Sequence, residues 1–361
     1  MKRNKRRLIT LHQCHCMFVP PHVLEQMAKS TDETVRENAR LSLLQDEQIR
    51  TARAALVTPL STLAGEVAGI MAPPAGTGGR SIYNCNHVWG PPETFILVRG
   101  EGDPVTDDET VTNAYESGGG TRDYYKMKLL RNSIDNLGLD QVHNVHFGMN
   151  YMNAFWSGAE MYYGDGDGNI FTDFTKDPDV IAHELTHGVT QYTAALQYYG
   201  QSGALNESFS DVFGSVIEQA VNGETANDAD WLIGDSIMGP MLYGEALRSM
   251  KAPGTAYDNP FMGSDPQPAH LSHYYVGSGD NQGVHINSGI PNKVFYLVAM
   301  DIGTDKAALI WYTTLQRLWS TAAFGDFAYV LAMSARQLTK SGQVPVGTTQ
   351  TVRAALHEVG L

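Results

Sequence analysis

The chain has 361 residues, 42% of them hydrophobic and 18% charged, with a formal net charge of −14. That supplies a sizeable core and excludes wholesale disorder and any general attraction to nucleic acid, which needs a basic face. No apolar run reaches eighteen residues, so no membrane-spanning helix is expected, and three cysteines cannot form a disulfide framework.

The charge is uneven. Residues 1–75 carry ten Lys/Arg against seven Asp/Glu, and the remainder fifteen against thirty-two. A basic head therefore precedes an acidic body that attracts it. Lys2, Arg3, Lys5, Arg6 and Arg7 open the chain and read as a frayed, solvated start. The polar residues of Leu8-Ile9-Thr10-Leu11-His12-Gln13-Cys14-His15-Cys16 break any apolar stretch, which makes a poor secretory signal. Synthesis and folding in the cytoplasm are expected, with export, if any, by a route that needs no standard signal.

Pro20-Pro21 starts a short helix, and Ser30-Thr31-Asp32-Glu33 reads as a capping box with Ser30 capping and Glu33 reaching back. The next helix has Val35, Ala39, Leu43 and Leu44 on one side and runs to about Arg53. Residues 72–80, rich in Pro and Gly, form a linker, and a domain boundary is placed there. From Ser81 to Phe174, Thr94–Val98 and Asn144–Phe147 read as strands, with one helix near Tyr124–Leu137. Asp165-Gly166-Asp167-Gly168 reads as a tight hairpin rather than a calcium loop, because Lys176 stands where the bidentate Glu would be. Beyond Asp179 helical patterns dominate: Val180–Gln197, Leu205–Asn222, Ser288–Met300, Asp305–Trp319, Gly325–Leu338 and Gln350–Val359. A β-rich part followed by a helical part is an α+β arrangement.

Chemistry enters at His183-Glu184-Leu185-Thr186-His187. On a helix, residues four apart share a face, so His183 and His187 reach one ion, while Glu184, about 100° around, can touch a water bound to it. Downstream, Glu207 and Asp211 are again four apart on a mostly apolar helix. Carboxylates there are costly to bury without a positive partner. Zinc held by His183, His187 and Glu207 supplies one. Asp211 then fixes the tautomer of one ligand histidine, and the Asn206 backbone serves the other.

With Asn153-Ala154-Phe155-Trp156, Tyr163 to Gly168, Leu247-Arg248-Ser249-Met250 and Gly283 to Gly289 added, the chain from about residue 80 onward resembles the thermolysin-like neutral metalloproteases. The head with Val19-Pro20-Pro21-His22-Val23-Leu24 resembles the short propeptide of the protealysin branch. The resemblance implies a proenzyme in three parts: residues 1–75 as an inhibitory propeptide, 76–195 as a β-rich lobe ending in the zinc helix, and 196–361 as a helical lobe, with zinc in the cleft between the lobes. It implies cleavage of peptide bonds on the N-terminal side of bulky apolar residues. Glu184 would move the proton, His285 and Tyr198 would hold the oxyanion, and Asp280 would orient His285. Asn153, the Ala154 backbone and Arg248 would hold the substrate main chain, and Phe171, Val180, Ile233 and Leu247 would line the pocket after the cut bond. Phe174 stands where the family often has a smaller aliphatic residue, which bears on pocket size.

The resemblance also implies calcium at Asp179, Glu218, Asp230 and Asp235. The partners implied are a peptide or protein substrate and the chain's own propeptide, and a monomer is expected. Two blocking devices are open for the head: steric blockage around Pro20-Pro21, or a thiolate of Cys14 or Cys16 on the zinc. Cys85 reads as a small buried apolar residue. Two other readings share the motif, a peptidase restricted to short peptides and a non-enzymatic zinc-stabilised binding protein. The full set of chemistry-bearing residues disfavours the latter.

Overall fold

The structure, a computed structural model, describes residues 16–63, 76–90 and 92–361. The basic start, Cys14 and the first residues of the predicted linker lie outside the described residues. The order is α1 (Pro21–Met27), α2 (Glu33–Leu63), β1 (Arg80–Asn84), β2 (Ile96–Gly100), α3 (Glu109–Leu129), β3 (Gln141–Val145), β4 (Ala154–Trp156) and β5 (Met161–Tyr163). The helices α4 (Pro178–Gln191) and α5 (Gly200–Asn222) follow. Four two-residue strands come next: β6 (Leu232–Ile233) pairs with β7 (Arg248–Ser249), and β8 (Asp258–Asn259) with β9 (Gly263–Ser264). Then come α6 (Gly279–Asn287), α7 (Gly289–Ile302), α8 (Thr304–Leu315), α9 (Phe324–Lys340) and α10 (Thr348–Glu358).

The fold is α+β, as the sequence predicts. The main sheet has the order β2-β1-β3-β5-β4. Its three central strands β1, β3 and β5 run parallel, and the edge strands β2 and β4 run antiparallel to their neighbours. One continuous apolar core runs from Cys16 to Val359, and a smaller cluster gathers Met17, Cys85, Phe147, Tyr151 and Phe155. Head residues thus enter both cores. Burial of Phe18, Val19, Val23, Leu24 and Met27 gains about 1.5–3 kcal/mol for each large side chain, enough to hold the head down.

Several local expectations need correction. Helix α2 is capped by Asp32, whose Oδ1 accepts from Thr34 N at 2.9 Å and Val35 N at 3.1 Å; Ser30 Oγ accepts only from Asp32 N. Leu44 is exposed, and the buried face of α2 is Val35, Asn38, Ala39, Ser42 and Asp46. The helix also extends to Leu63, beyond the predicted end. No hairpin forms at Asp165–Gly168, because β5 is already paired on both edges and a following strand has no free edge. Asp167 Oδ1 instead accepts from the backbone of Asn169, Ile170 and Phe171, and Phe171 bridges to Met238.

The predicted helix near Tyr124–Leu137 is α3, which starts much earlier and stops at Leu129. Its run Gly118-Gly119-Gly120 lies inside the helix and serves close packing. A Cβ on Gly118 would stand 2.7 Å from His143 Nε2, and one on Gly119 would stand 2.1 Å from Arg80 Nη1. His143 has nowhere to go: it is fully buried, with Nδ1 2.9 Å from Tyr163 Oη. Gly118→Ala gains about 1 kcal/mol in helix propensity and loses about 1–3 kcal/mol to overpacking. A urea unfolding series is therefore expected to show a net loss of about 1 kcal/mol, and a stabilised variant would contradict the close fit.

Candidate active site

Asp177 caps α4 and Pro178 sits in its first turn. The helix is buried along its whole length from Asp179 to Gln191. His183 and His187 lie one turn apart with Nε2 atoms 3.0 Å from each other. Helix α5 lies against α4, and Gly214 permits the approach, since a Cβ there would meet Asp179 O at 3.0 Å. That brings the Glu207 carboxylate 3.5 Å from each of those nitrogens. All three side chains are at most 1% exposed.

The remaining nitrogens fix the protons. His187 Nδ1 lies 2.9 Å from Asn206 Oδ1, while Asn206 Nδ2 donates to Leu196 O, so the amide oxygen faces the ring and Nδ1–H donates to it. It is the Asn206 side chain, not its backbone as expected, that serves this histidine. His183 Nδ1 lies 2.9 Å from Asp211 Oδ1, close though off the straight hydrogen-bond line. Asp211 is anchored by two Arg248 nitrogens, Nε at 3.0 Å and Nη2 at 2.9 Å, and by Asn292 Nδ2 at 2.8 Å. Burial alone would raise the Asp211 pKa, but Arg248 and His183 hold it below the usual carboxylate range.

Both Nε2 atoms therefore present lone pairs to each other and to a carboxylate, away from water. Glu207 Oε2 has no hydrogen-bond partner. Such a set repels itself unless a cation sits among its members. A tetrahedral ion with ligands at about 2.1 Å has edges of about 3.4 Å, close to the distances observed, and two imidazoles with one carboxylate suit zinc. The residues fit the ion.

Around this centre stand the other predicted groups. Glu184 is fully buried; its Oε2 accepts from Trp156 N at 2.8 Å and its Oε1 is unpartnered. Tyr198 Oη contacts Glu207 and lies 3.1 Å from His285 Nε2. Asp280 Oδ1 lies 2.6 Å from His285 Nδ1, and Oδ2 accepts the His285 backbone N–H at 2.8 Å. Asp280 can do both because Asp280, Asn281, Gln282 and Gly283 all have positive φ, a left-handed turn that costs about 1–2 kcal/mol per non-glycine residue. Burial would lower the His285 pKa, but the carboxylates of Asp280 and Glu207 outweigh it and raise it to about 9.

The head crosses this site without regular secondary structure, bending at Phe18 and Val19. Phe18 N donates to Ala154 O at 3.0 Å, Val19 N donates to Asn153 Oδ1 at 2.8 Å, and Asn153 Nδ2 returns a bond to Val19 O at 3.3 Å. Arg248 Nη1 donates to Phe18 O at 3.3 Å, and His285 Nε2 lies 3.0 Å from Met17 O. The Phe18 ring stands edge-on to His183. Phe18 Cε1 and Leu247 Cδ1 lie 3.1 and 3.3 Å from where a Gly234 Cβ would be, so glycine leaves room for the ring. Cys16 Sγ is 3.7 Å from Glu184 Oε2. Beside Met17 and Pro21 a cleft of about 280 Å³, also lined by Arg50, Tyr198 and Asn281, stays open.

Asn153 is held in turn by Asp46 of α2, at 2.9 Å, and Asp46 also accepts from Tyr151 Oη at 2.6 Å. Sequence reasoning missed Asp46. Its signal was Asn38, Ser42 and Asp46 at four-residue spacing, a polar helical stripe that buries instead of facing water.

Of the four predicted calcium residues, Asp179 and Glu218 come together, joined by the unpredicted Asp177. Asp230 and Asp235 are near enough to act on Glu218 electrostatically. Burial, then neighbouring carboxylates, pushes the Asp177 pKa up to about 6 and that of Glu218 up to about 9. Asp179 Oδ1 is buried and unpartnered.

Comparison with known proteins agrees with this geometry. The family description "Thermolysin metallopeptidase, catalytic domain" matches residues 35–191, and "Thermolysin metallopeptidase, alpha-helical domain" matches 194–361. The chain is 44% identical to the extracellular metalloprotease of Pectobacterium carotovorum subsp. carotovorum, over 87% of this chain and 88% of that protein. It is 41% identical to Protease PrtS of Photorhabdus sp. (strain Az29), over 89% and 86% respectively. The solved structure of the precursor of protealysin, a metalloproteinase from Serratia proteamaculans, superposes with a TM-score of 0.83 at 39% identity, covering 96% of this chain and 99% of that one.

One titration bears on the head. His22, with Nε2 3.2 Å from Tyr257 Oη, has its pKa lowered from 6.5 to about 4, mainly by burial; Asp280 opposes this and His285 and Arg248 add to it. Between pH 6.5 and about 4 a released head takes up a proton that the docked head does not, so docking weakens as pH falls. The thermal midpoint of the wild-type chain is expected to fall more steeply than that of His22→Gln over this window. Parallel curves would contradict the assignment.

Proposed function

The chain belongs to the thermolysin metallopeptidase family and is a zinc-dependent endopeptidase made as a proenzyme, and from that premise we propose how its own residues do the work. The supporting observation is the water-excluded convergence of His183, His187 and Glu207 beside Glu184. Zinc held by those three supplies, when bound, a charge that polarises the scissile carbonyl and a water whose pKa is lowered to about 7.

Glu184 takes the proton of the attacking water and delivers it to the leaving amine, and the Trp156 N–H fixes its orientation for both transfers. His285 and Tyr198 donate hydrogen bonds to the oxygen that gains charge, each worth about 3 kcal/mol. Asp280 keeps His285 turned toward it. Asp211 and Asn206 hold the tautomers of His183 and His187. Asn153, the Ala154 carbonyl and Arg248 hold the substrate main chain, as they hold the head.

Phe18 marks the pocket for the residue after the cut bond, with Phe171, Val180, Ile233 and Leu247 as its apolar lining. Phe174 packs on Phe171 with centroids 5.8 Å apart and limits the depth. This lining supports cleavage before bulky apolar residues of peptides and proteins. The head, residues 1–75, inhibits by occupying this groove, residues 76–195 form the β-rich part, and residues 196–361 the helical part. Cys16, Met17 and Phe18 are at most 1% exposed, so the seated head fills the groove that a substrate would enter. The Cys16 thiol lies 3.7 Å from Glu184 Oε2 and within 4.8 Å of a His187 ring nitrogen, so both blocking devices, the seated peptide and a thiolate at the metal, remain open for the head.

Calcium at Asp177, Asp179 and Glu218, with Asp230 and Asp235 nearby, completes the reading, since a divalent ion offsets the five crowded carboxylates. The enzyme works as a monomer. It is made in the cytoplasm and acts outside the cell, which one relative's name, extracellular metalloprotease, supports.

Two outcomes test this. Glu184→Gln is expected to keep zinc by metal analysis while kcat/KM on a Phe-containing peptide falls by about 10²–10⁴-fold and the head stays attached; unchanged cleavage would refute the role of Glu184. Calcium added to the zinc-loaded chain at about 100 times its Kd is expected to stabilise it by about 2–3 kcal/mol, an effect lost in Glu218→Gln. A calcium-independent melting curve in the wild type would remove that site.

A further inference from the structure

A second group of metal-ligating side chains stands apart from the catalytic set. The parallel strands β1, β3 and β5 are neighbours, so the residues just past their C-terminal ends lie side by side. Those residues include His87, His146 and Asp165, and His87 N donates to His146 O at 2.9 Å. His146 Nδ1 lies 2.9 Å from both Asp165 oxygens, and His87 Nδ1 lies 3.1 Å from Asp165 Oδ2. The imidazole centroids are 5.3 Å apart. One ligand atom from each residue falls within 4.8 Å of the others.

We propose that His87, His146 and Asp165 form a second metal site, for a divalent transition ion such as Zn²⁺.

Two nitrogens converge on one carboxylate, the donor set that also makes the catalytic centre. Two imidazoles favour zinc, nickel or copper over calcium or magnesium, whose hard ions prefer oxygen. The far nitrogen of His146 lies 3.1 Å from Asp108 Oδ2. That outer carboxylate orients the ring as Asp211 orients His183. The site is open on one side: the side chains of His87, Asp165 and His146 are 45%, 25% and 17% exposed, which leaves room for water to complete the coordination. The ion ties together the loops that leave three strands, and through Asp108 it also reaches the N-terminal cap of α3. The competing description is an ion pair held by protons alone, with His146 charged between Asp165 and Asp108.

The two differ in metal stoichiometry. The full chain is dialysed against micromolar free Zn²⁺, and bound zinc is counted by atomic emission for the wild type, His87→Ala and Asp165→Asn. His87 is nearly half exposed and touches none of the catalytic groups, so its loss leaves fold and peptidase activity intact. Each variant is expected to bind about one equivalent less than the wild type. The comparison is a difference, so it stands whether or not the catalytic site is filled. Equal zinc content in wild type and His87→Ala, both folded by circular dichroism, would overturn the proposal and leave the ion pair.

Discussion

Three lone-pair donors are packed into a space without water, and the rest of the molecule depends on that constraint. His183, His187 and Glu207 cannot share their pocket as bare groups, because imidazole nitrogens 3.0 Å apart with a carboxylate beside them repel in a medium of low dielectric. A divalent ion reverses the sign of each interaction. The surrounding architecture then serves to hold the donors still. Gly214 lets two buried helices close on each other, and Asn206 and Asp211 fix the ring tautomers. Arg248 and Asn292 hold Asp211 in its charged form. Removing any of these supports loosens the donors by a fraction of an ångström, and metal affinity depends on such fractions.

The head exploits the same machinery it silences. It lies along β4 and spends its backbone groups on Asn153, Ala154, Arg248 and His285, the partners that the proposal gives to substrate. Inhibition then needs no special chemistry, only a peptide that stays. It stays because α1 and α2 add apolar burial, and because Asp46 braces Asn153 from behind. Arg248 has two tasks in this arrangement. It neutralises Asp211 beneath the metal ligands and reaches the Phe18 carbonyl above them, so metal site and peptide groove share one cation.

The parts of this site that sequence could reveal were those written in local periodicity. His183 with His187, and Glu207 with Asp211, repeat at one helical turn, and their chemistry is unusual enough to stand out. The α+β order was legible for the same reason. Hidden features came from contacts between distant segments. The stripe Asn38, Ser42, Asp46 looks solvent-facing until Tyr151 and Asn153 meet it, and Leu44 looks like core until that stripe takes the buried side. The purpose of the triple glycine of α3, close approach to His143 and Arg80, lies on other elements and leaves no local mark in the sequence. Asp177 looks like a simple helix cap, and only folding sets it against Asp179 and Glu218. The family pattern pointed to His285 and Asp280, but not to the left-handed turn that joins them.

The central claim is that one ion binds at a single point shared by α4 and α5. Anomalous diffraction at the zinc edge, from crystals of the zinc-loaded chain, tests it most directly. The account predicts a strong peak within bonding distance of His183 Nε2, His187 Nε2 and the Glu207 carboxylate together. No peak there, or a peak that any one of these three side chains fails to reach, would contradict it.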